Sequence, residues 1–203
     1  MMKRNNFPFS AVLGLNHAKT AILIVLVNPR AGGLLISGPR GIGKSTLMRS
    51  TQELIERPWR DIPVSVTEDR LFGTIDTEKA IYSGQKKLYP GIINEADQGV
   101  LYLDDANLLR EDLLDFILNI AEVGAYQLER DGLSLRCDTS FTVIAAINPE
   151  SGMLSGACLD QFGLFVNVDN IHDENTRVEI LKRTISFEKD CASFCCLLYT
   201  SDA

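Results

Sequence analysis

With 203 residues, 45% of them hydrophobic and 23% charged, the chain has the composition of a globular protein with room for one substantial core. Its net charge of −7 argues against a protein that holds nucleic acid by bulk charge, since such a surface repels phosphates, so no nucleic-acid partner is expected. No stretch reaches the roughly 18–20 apolar residues that cross a bilayer, and no membrane partner is expected.

The start, Met1 to Asn6, carries Lys3 and Arg4 with no apolar run behind them, so no signal peptide is read and a cytoplasmic location is expected. Leu13, Ala18, Ala21, Ile22, Val25 and Leu26 fall mainly on one helical face, which Asn28-Pro29 closes. Gly33 to Ser37 is a short apolar run that reads as a buried parallel strand, and Thr46 to Glu56 has helical composition. Pro63 to Val66 reads as a second strand, with Trp59 before it as a packing residue, and Gly99 to Leu103 as a third. Lys86-Lys87 reads as a solvated loop. Asp112 to Ala121 is an apolar-striped helix. Asp131-Gly132, between Tyr126–Glu129 and Leu133–Arg136, signals a β-hairpin. Phe141–Ile147 and Leu164–Val168 read as further strands, and Glu174–Phe187 as a helix with the stripe Val178, Ile180, Leu181 and Ile185. Apolar strands alternating with helices predict an α/β fold with a mostly parallel sheet covered on both faces.

Residues 1–190 read as one domain. From Cys191 to Ala203 no strand or helix period is visible, and the segment reads as unstructured or non-native. The five cysteines, Cys137, Cys158, Cys191, Cys195 and Cys196, form no CxxC pairs and have no histidine at zinc-ligand spacing, so reduced thiols are expected. His17 and His172 stand without a supporting constellation, as surface or helix-start residues.

The chemistry concentrates in three places. Gly38-Pro39-Arg40-Gly41-Ile42-Gly43-Lys44-Ser45 fits G-x-x-x-x-G-K-[ST], directly after a strand and before a helix that Thr46 continues. Glycines let backbone N–H groups wrap phosphates, the helix N-terminus adds its positive end, Lys44 can reach the β- and γ-phosphates, and the Ser45 hydroxyl can ligate Mg²⁺. ATP with Mg²⁺ is the expected ligand pair. Asp104 and Asp105 end the strand that runs to Leu103. Asp104 is placed to hold Mg²⁺ and Asp105 to orient a water, the alternative for each being a helix N-cap. Asn148, at the tip of the Phe141–Ile147 strand, can touch the γ-phosphate or its water, or be a turn former.

In order along the chain, Gly33–Thr46, Thr67–Asp76, Tyr89–Ile93, Gly99–Leu109, Asn148–Glu150 and Leu159–Val166 make the chain resemble the AAA+ ATPase subunit of magnesium chelatase and its cobalt-chelatase relatives. The resemblance implies a P-loop NTPase three-layer sandwich with a five-stranded sheet and two β-hairpin insertions, around Tyr82–Tyr89 and at Gly124–Cys137. It also implies a hexameric ring of copies that drives a larger partner subunit inserting a metal into a porphyrin. It assigns ATP-site roles to Lys44, Ser45, Asp104 and Asn148. Three departures follow from it. The family ends its acidic strand in Asp-Glu where this chain has Asp104-Asp105, and a carboxylate misplaced by roughly 1 Å costs on the order of 100-fold in rate. Gln161 stands where the family has an arginine that reaches a neighbour's γ-phosphate, a finger worth about 10³–10⁵ in turnover, and Leu154–Cys158 beside it lacks the family's Arg-Pro. The family's C-terminal helical lid is not recognisable. The resemblance thus implies ATP–Mg²⁺ binding with slow or absent turnover. A weakly catalytic regulatory subunit and a MoxR-type chaperone are the alternatives.

Overall fold

The computed structural model describes residues 6–75, 88–130 and 133–195. Helix α1 (Asn16–Val27) leads into β1 (Leu34–Ser37), then α2 (Lys44–Thr51) and β2 (Trp59–Ile62). Helix α3 (Glu68–Phe72) enters an antiparallel ladder of β3 (Gly73–Ile75) with β4 (Leu88–Pro90), and α4 (Ile92–Glu95) leads to β5 (Val100–Leu103). Next come α5 (Glu111–Val123), the antiparallel pair β6 (Ala125–Arg130) and β7 (Leu133–Asp138), and β8 (Thr142–Ile147). Then follow α6 (Gly156–Asp160), β9 (Leu164–Asn167) and α7 (Glu174–Lys189).

Five strands form one sheet in the order β2-β5-β8-β1-β9, and each of its pairings is parallel. A parallel sheet must bury both faces, and β1, β5 and β8 are buried along their whole length. Successive side chains point to opposite faces, so each strand feeds two cores. Leu35, Leu101, Leu103 and Val143 pack with Leu71 of α3, Ile93 of α4 and Leu113 and Ile117 of α5. Leu34, Ile36, Val100 and Ile144 pack with Ala18, Ile22 and Val25 of α1 and Leu47 and Met48 of α2. The result is the three-layer sandwich expected from the sequence, with a main sheet that is parallel throughout.

The structure revises two of the sequence expectations. The second strand is Trp59–Ile62, not Pro63–Val66. β2 pairs with β5 from Trp59↔Val100 to Ile62↔Leu103, after which Pro63, which has no N–H to give a ladder, starts a turn closed by Val66 N donating to Pro63 O at 3.0 Å. Trp59 does pack, its ring 6.0 Å from that of Tyr102. The segment from Cys191 is helical over residues 191–195. Asp190 accepts from Ser193 N at 3.1 Å, and the Phe194 ring lies 5.7 Å from Phe7 and 5.8 Å from Phe187. Residues 196–203, with Cys196, lie outside the described residues, as do Tyr82, Lys86-Lys87 and the Asp131-Gly132 turn. The strands on either side of each hairpin pair antiparallel. The four described cysteines are free thiols, Cys137 and Cys158 buried. No helix among the described residues is long and apolar enough to cross a membrane.

Candidate nucleotide-binding site

Ligands of parallel α/β sheets bind beyond the carboxyl ends of the strands. Here three neighbouring strands end at one place: β1 in the loop from Gly38 to Gly43, β5 in Asp104-Asp105, and β8 between them in Asn148. Gly38 N donates to Ile147 O at 3.2 Å, which holds the root of the loop against the end of β8.

The loop owes its shape to glycines with two different duties. Gly41 and Gly43 have φ of +82° and +93°, left-handed backbone that a β-carbon disfavours. A Cβ at Gly41 would meet no atom within 4 Å, and one at Gly43 only Leu15 Cδ1 at 3.9 Å, so space is open along the loop at both. At Gly38 a Cβ would stand 2.5 Å from Val168 O and 2.7 Å from Ile42 Cδ1, so this glycine allows the close approach of the loop to the segment after β9. Gly43 is the N-cap of α2, whose first N–H groups have no partner within the helix and suit an anion.

Lys44 opens α2 and is only 8% exposed. Its Nζ donates to Gly38 O at 2.5 Å and Pro39 O at 2.8 Å, folding the ammonium back over the loop. Burial lowers its pKa, the carboxylates of Asp105 and Asp104 oppose that, and Arg40 adds to it. The two carbonyls are neutral and the nearby carboxylates offset the ammonium charge only in part, which leaves it open to an anion.

Ser45 Oγ donates to Asp104 Oδ2 at 2.9 Å, a contact across 59 residues of sequence. The two candidate Mg²⁺ ligands are therefore adjacent. Among the described residues no group of three or more His, Cys, Asp or Glu gathers to hold a metal. An ion at Ser45 and Asp104 would take its remaining ligands from water and phosphate oxygens, which suits Mg²⁺ and its reluctance to dehydrate. Behind them the Tyr102 hydroxyl is buried beside Asp104 and Ser45. Burial first, and then the neighbouring Asp104 charge, push that phenol far above its ordinary pKa.

Asp105 has φ 50° and ψ 48° and stands at the N-cap position of the 3₁₀ turn Ala106–Leu108 without a side-chain capping bond. Aspartate is one of the few residues with a β-carbon that accepts left-handed backbone, so the short carboxylate matches the local conformation. Its Oδ2 lies 3.8 Å from Arg40 Nη2, an exposed pair of little energetic weight. Asn148 is buried, at 2% exposure. Its Oδ1 accepts from Glu150 N at 3.2 Å and its Nδ2 donates to Ser151 Oγ at 3.2 Å, so the amide shapes the turn that follows β8. It is both a turn former and a residue at the mouth of the site. Gln161 directly follows α6, exposed, with Nε2 donating to Ala157 O at 3.5 Å of its own helix.

Beside the loop opens a cavity of about 1000 Å³ whose walls include Val12, Leu13, Ile42, Thr46, Ile171 and Ile180. Its walls are apolar in part, with Arg49, Arg177 and Glu188 also lining it, and a cavity of this size and mixed character suits a nucleoside. Lys19 Nζ donates to Val12 O, and Arg183 Nη1 to Ala11 O at 3.3 Å, which fixes the N-terminal wall between α1 and α7. Sequence reasoning did not place Val12, Leu13, Ile171 and Ile180 beside the loop, since they reach the cavity from opposite ends of the chain. His172 borders this cavity and is exposed, while His17 is the exposed second residue of α1.

Comparison with known proteins agrees with this geometry. The family model described as AAA domain (dynein-related subfamily) matches residues 33–161. The magnesium-chelatase 38 kDa subunit of Cereibacter sphaeroides is 36% identical over 93% of this chain and 66% of its own length. The magnesium-chelatase subunit ChlI of Cyanophora paradoxa is 33% identical over 95% of this chain and 68% of its own. A structure of the complex between subunits BchI and BchD of magnesium chelatase, built on a single-particle cryo-EM reconstruction, contains a chain with TM-score 0.77 and 36% identity, covering 94% of this chain and 70% of that one. The chain spans 66% and 63% of the length of the Cereibacter sphaeroides and Rhodobacter capsulatus relatives, about two thirds. With the phosphate loop, the acidic strand end and four of the five sheet strands inside the residues that the family model matches, and relatives aligned over most of its length, the chain belongs to the magnesium-chelatase family of AAA+ proteins.

Proposed function

We propose that the chain binds ATP with Mg²⁺ and acts as the AAA+ motor subunit of a magnesium-chelatase-like complex. It works as one copy in a hexameric ring, coupling ATP to metal insertion into a porphyrin-type macrocycle by a larger partner subunit. The observation that carries the nucleotide reading is the contact of Ser45 with Asp104 at 2.9 Å beside the folded-back Lys44. The named subunits of the relatives support the chelatase reading.

In this reading the purine and ribose enter the cavity walled by Val12, Leu13 and Ile171, and the phosphates run along the loop. Backbone N–H groups of Gly41 to Lys44 wrap the β-phosphate, and Lys44 leaves the carbonyls of Gly38 and Pro39 for the terminal phosphates. Ser45 and Asp104 hold Mg²⁺, which when bound neutralises phosphate charge. Asp105 orients the attacking water and accepts its proton on a carboxylate oxygen, and Asn148 faces the γ-phosphate.

A second reading, a nucleotide-binding regulatory subunit with weak turnover, is favoured by Asp105 and Gln161. The left-handed backbone at Asp105 suits aspartate, and Gln161 carries no charge to offer a neighbouring copy. ATPase rates of the parent and of Gln161→Arg separate the two. A slow parent with a gain of at least about tenfold in Gln161→Arg is expected, since a finger arginine is worth about 10³–10⁵ when all else is in place. A full-rate parent with no gain shows that position 161 is not the finger position.

A further inference from the structure

Asn107 lies in the 3₁₀ turn Ala106–Leu108, directly after the acidic strand end. Its Nδ2 donates to Asn148 O at 3.1 Å and to Gly152 O at 3.0 Å. Those two residues are the N-cap and the C-cap of the turn Pro149–Ser151. One amide nitrogen therefore grips both ends of the turn that Asn148 shapes from within through Glu150 N and Ser151 Oγ. Both partners are carbonyl oxygens, so only the NH₂ group can face them, and the orientation of the amide is fixed by chemistry. Its Oδ1 is buried with no hydrogen-bond partner among the described residues. A buried, unpartnered acceptor disfavours folding, so stability alone does not account for an amide at this position.

We infer that Asn107 is a positioning residue for nucleotide sensing. It ties the loop that carries Asp104 and Asp105 to the turn that carries Asn148, and so sets where the Asn148 amide meets the terminal phosphate. The inference rests on the reading of Asn148 as the γ-phosphate contact. Without the clamp the carbonyls of Asn148 and Gly152 lose a shared donor, the turn relaxes, and Asn148 no longer distinguishes a triphosphate from a diphosphate. ADP, which lacks the phosphate that Asn148 faces, is bound as before.

The test is calorimetric titration of the full chain with ATP and with ADP, in Mg²⁺, for the parent, Asn107→Leu, Asn107→Ala, Asn148→Ala and the Asn107→Leu/Asn148→Ala double variant. Leucine keeps the branched shape of asparagine, with more bulk, and removes the orphaned acceptor with the donors, and alanine gives a smaller, independent second version should leucine not fold. Both are expected to lower the ratio of ATP to ADP affinity by about tenfold, the worth of one well-placed hydrogen bond to a charged group. ADP affinity and thermal stability should change little, a pattern that a merely structural role does not give. The double variant should be no worse than Asn148→Ala. An unchanged ratio in the Asn107 variants beside a lowered one in Asn148→Ala overturns the inference alone. An additive loss in the double variant overturns it too. An unchanged ratio in Asn148→Ala sinks the reading of Asn148, and the inference with it.

Discussion

Alanine at Gly38 and alanine at Gly41 separate the two duties of the phosphate-loop glycines. At Gly38 the new Cβ would sit 2.5 Å from Val168 O and 2.6 Å from Val168 Cγ2. The carbonyl is backbone and cannot rotate away, so the loop and the segment after β9 must part. Overpacking of this kind costs about 1–3 kcal/mol. For a chain of this size each kcal/mol moves Tm by about 2–4 °C, so with a cost toward the upper end of that range Gly38→Ala should melt roughly 4–10 °C below the parent. At Gly41 the Cβ meets nothing within 4 Å, and only the φ of +82° resists it. Left-handed backbone costs an ordinary residue about 1–2 kcal/mol, a loss of about 2–8 °C by the same conversion. Nucleotide should change the ranking. Gly41→Ala re-aims the amides that wrap phosphate and should lose most of the Tm gain that ATP–Mg²⁺ gives the parent. Calorimetric scans with and without nucleotide read both effects. A Gly38→Ala protein as stable as the parent, or a Gly41→Ala protein less stable than Gly38→Ala, would refute the reasoning.

Lys44→Met keeps most of the side-chain volume but removes the ammonium and its bonds to Gly38 O and Pro39 O. Without nucleotide its Tm should stay within about 3 °C of the parent, because relief of a desolvated charge offsets the lost bonds. Its ATP affinity should fall by at least about 100-fold, in line with the loss of one or two charge-assisted hydrogen bonds, and titration calorimetry measures it. Asp173 caps α7, accepting from Thr176 N at 2.8 Å and Thr176 Oγ1 at 2.5 Å, and these bonds hold its pKa below the ordinary 3.8. A carboxylate whose folded pKa is depressed stabilises the fold above its unfolded pKa and loses that contribution as pH falls through the folded one. Melting curves from neutral pH into acid should therefore show a steeper acid loss in the parent than in Asp173→Asn, and parallel curves would show that the cap owes nothing to charge.

The legible parts of this protein were those whose signal is local. β1, β5 and β8 are buried on both faces, so their apolar runs announced them, and the phosphate loop is contiguous in sequence. β2 was misplaced because it is an edge strand. Arg60 and Asp61 face solvent there, and the apolar-looking residues after Pro63 belong to a turn. In the helical turn at 191–195 Asp190 accepts from Ser193 and Phe194 meets Phe7 and Phe187, contacts across the fold that composition does not record. The same holds in the site. Lys44, Ser45 and Asp104 follow from motif and strand end, and the fold brings Ser45 and Asp104 into contact. Val12 and Ile171 meet across one cavity, and Asn107 matters only through its distances to Asn148 and Gly152, neither of which a sequence period encodes.

The most direct measurement is titration of the whole chain with ATP in the presence of Mg²⁺ and again in EDTA, for the parent and for Asp104→Asn. One ATP should bind per chain, more tightly with Mg²⁺ by about tenfold or more, as expected when protein and phosphate share an ion. Asp104→Asn should lose most of that enhancement while still binding the nucleotide. Absence of binding at millimolar ATP, or an affinity indifferent both to Mg²⁺ and to the carboxylate at position 104, would contradict the assignment of this loop and strand end as a nucleotide site.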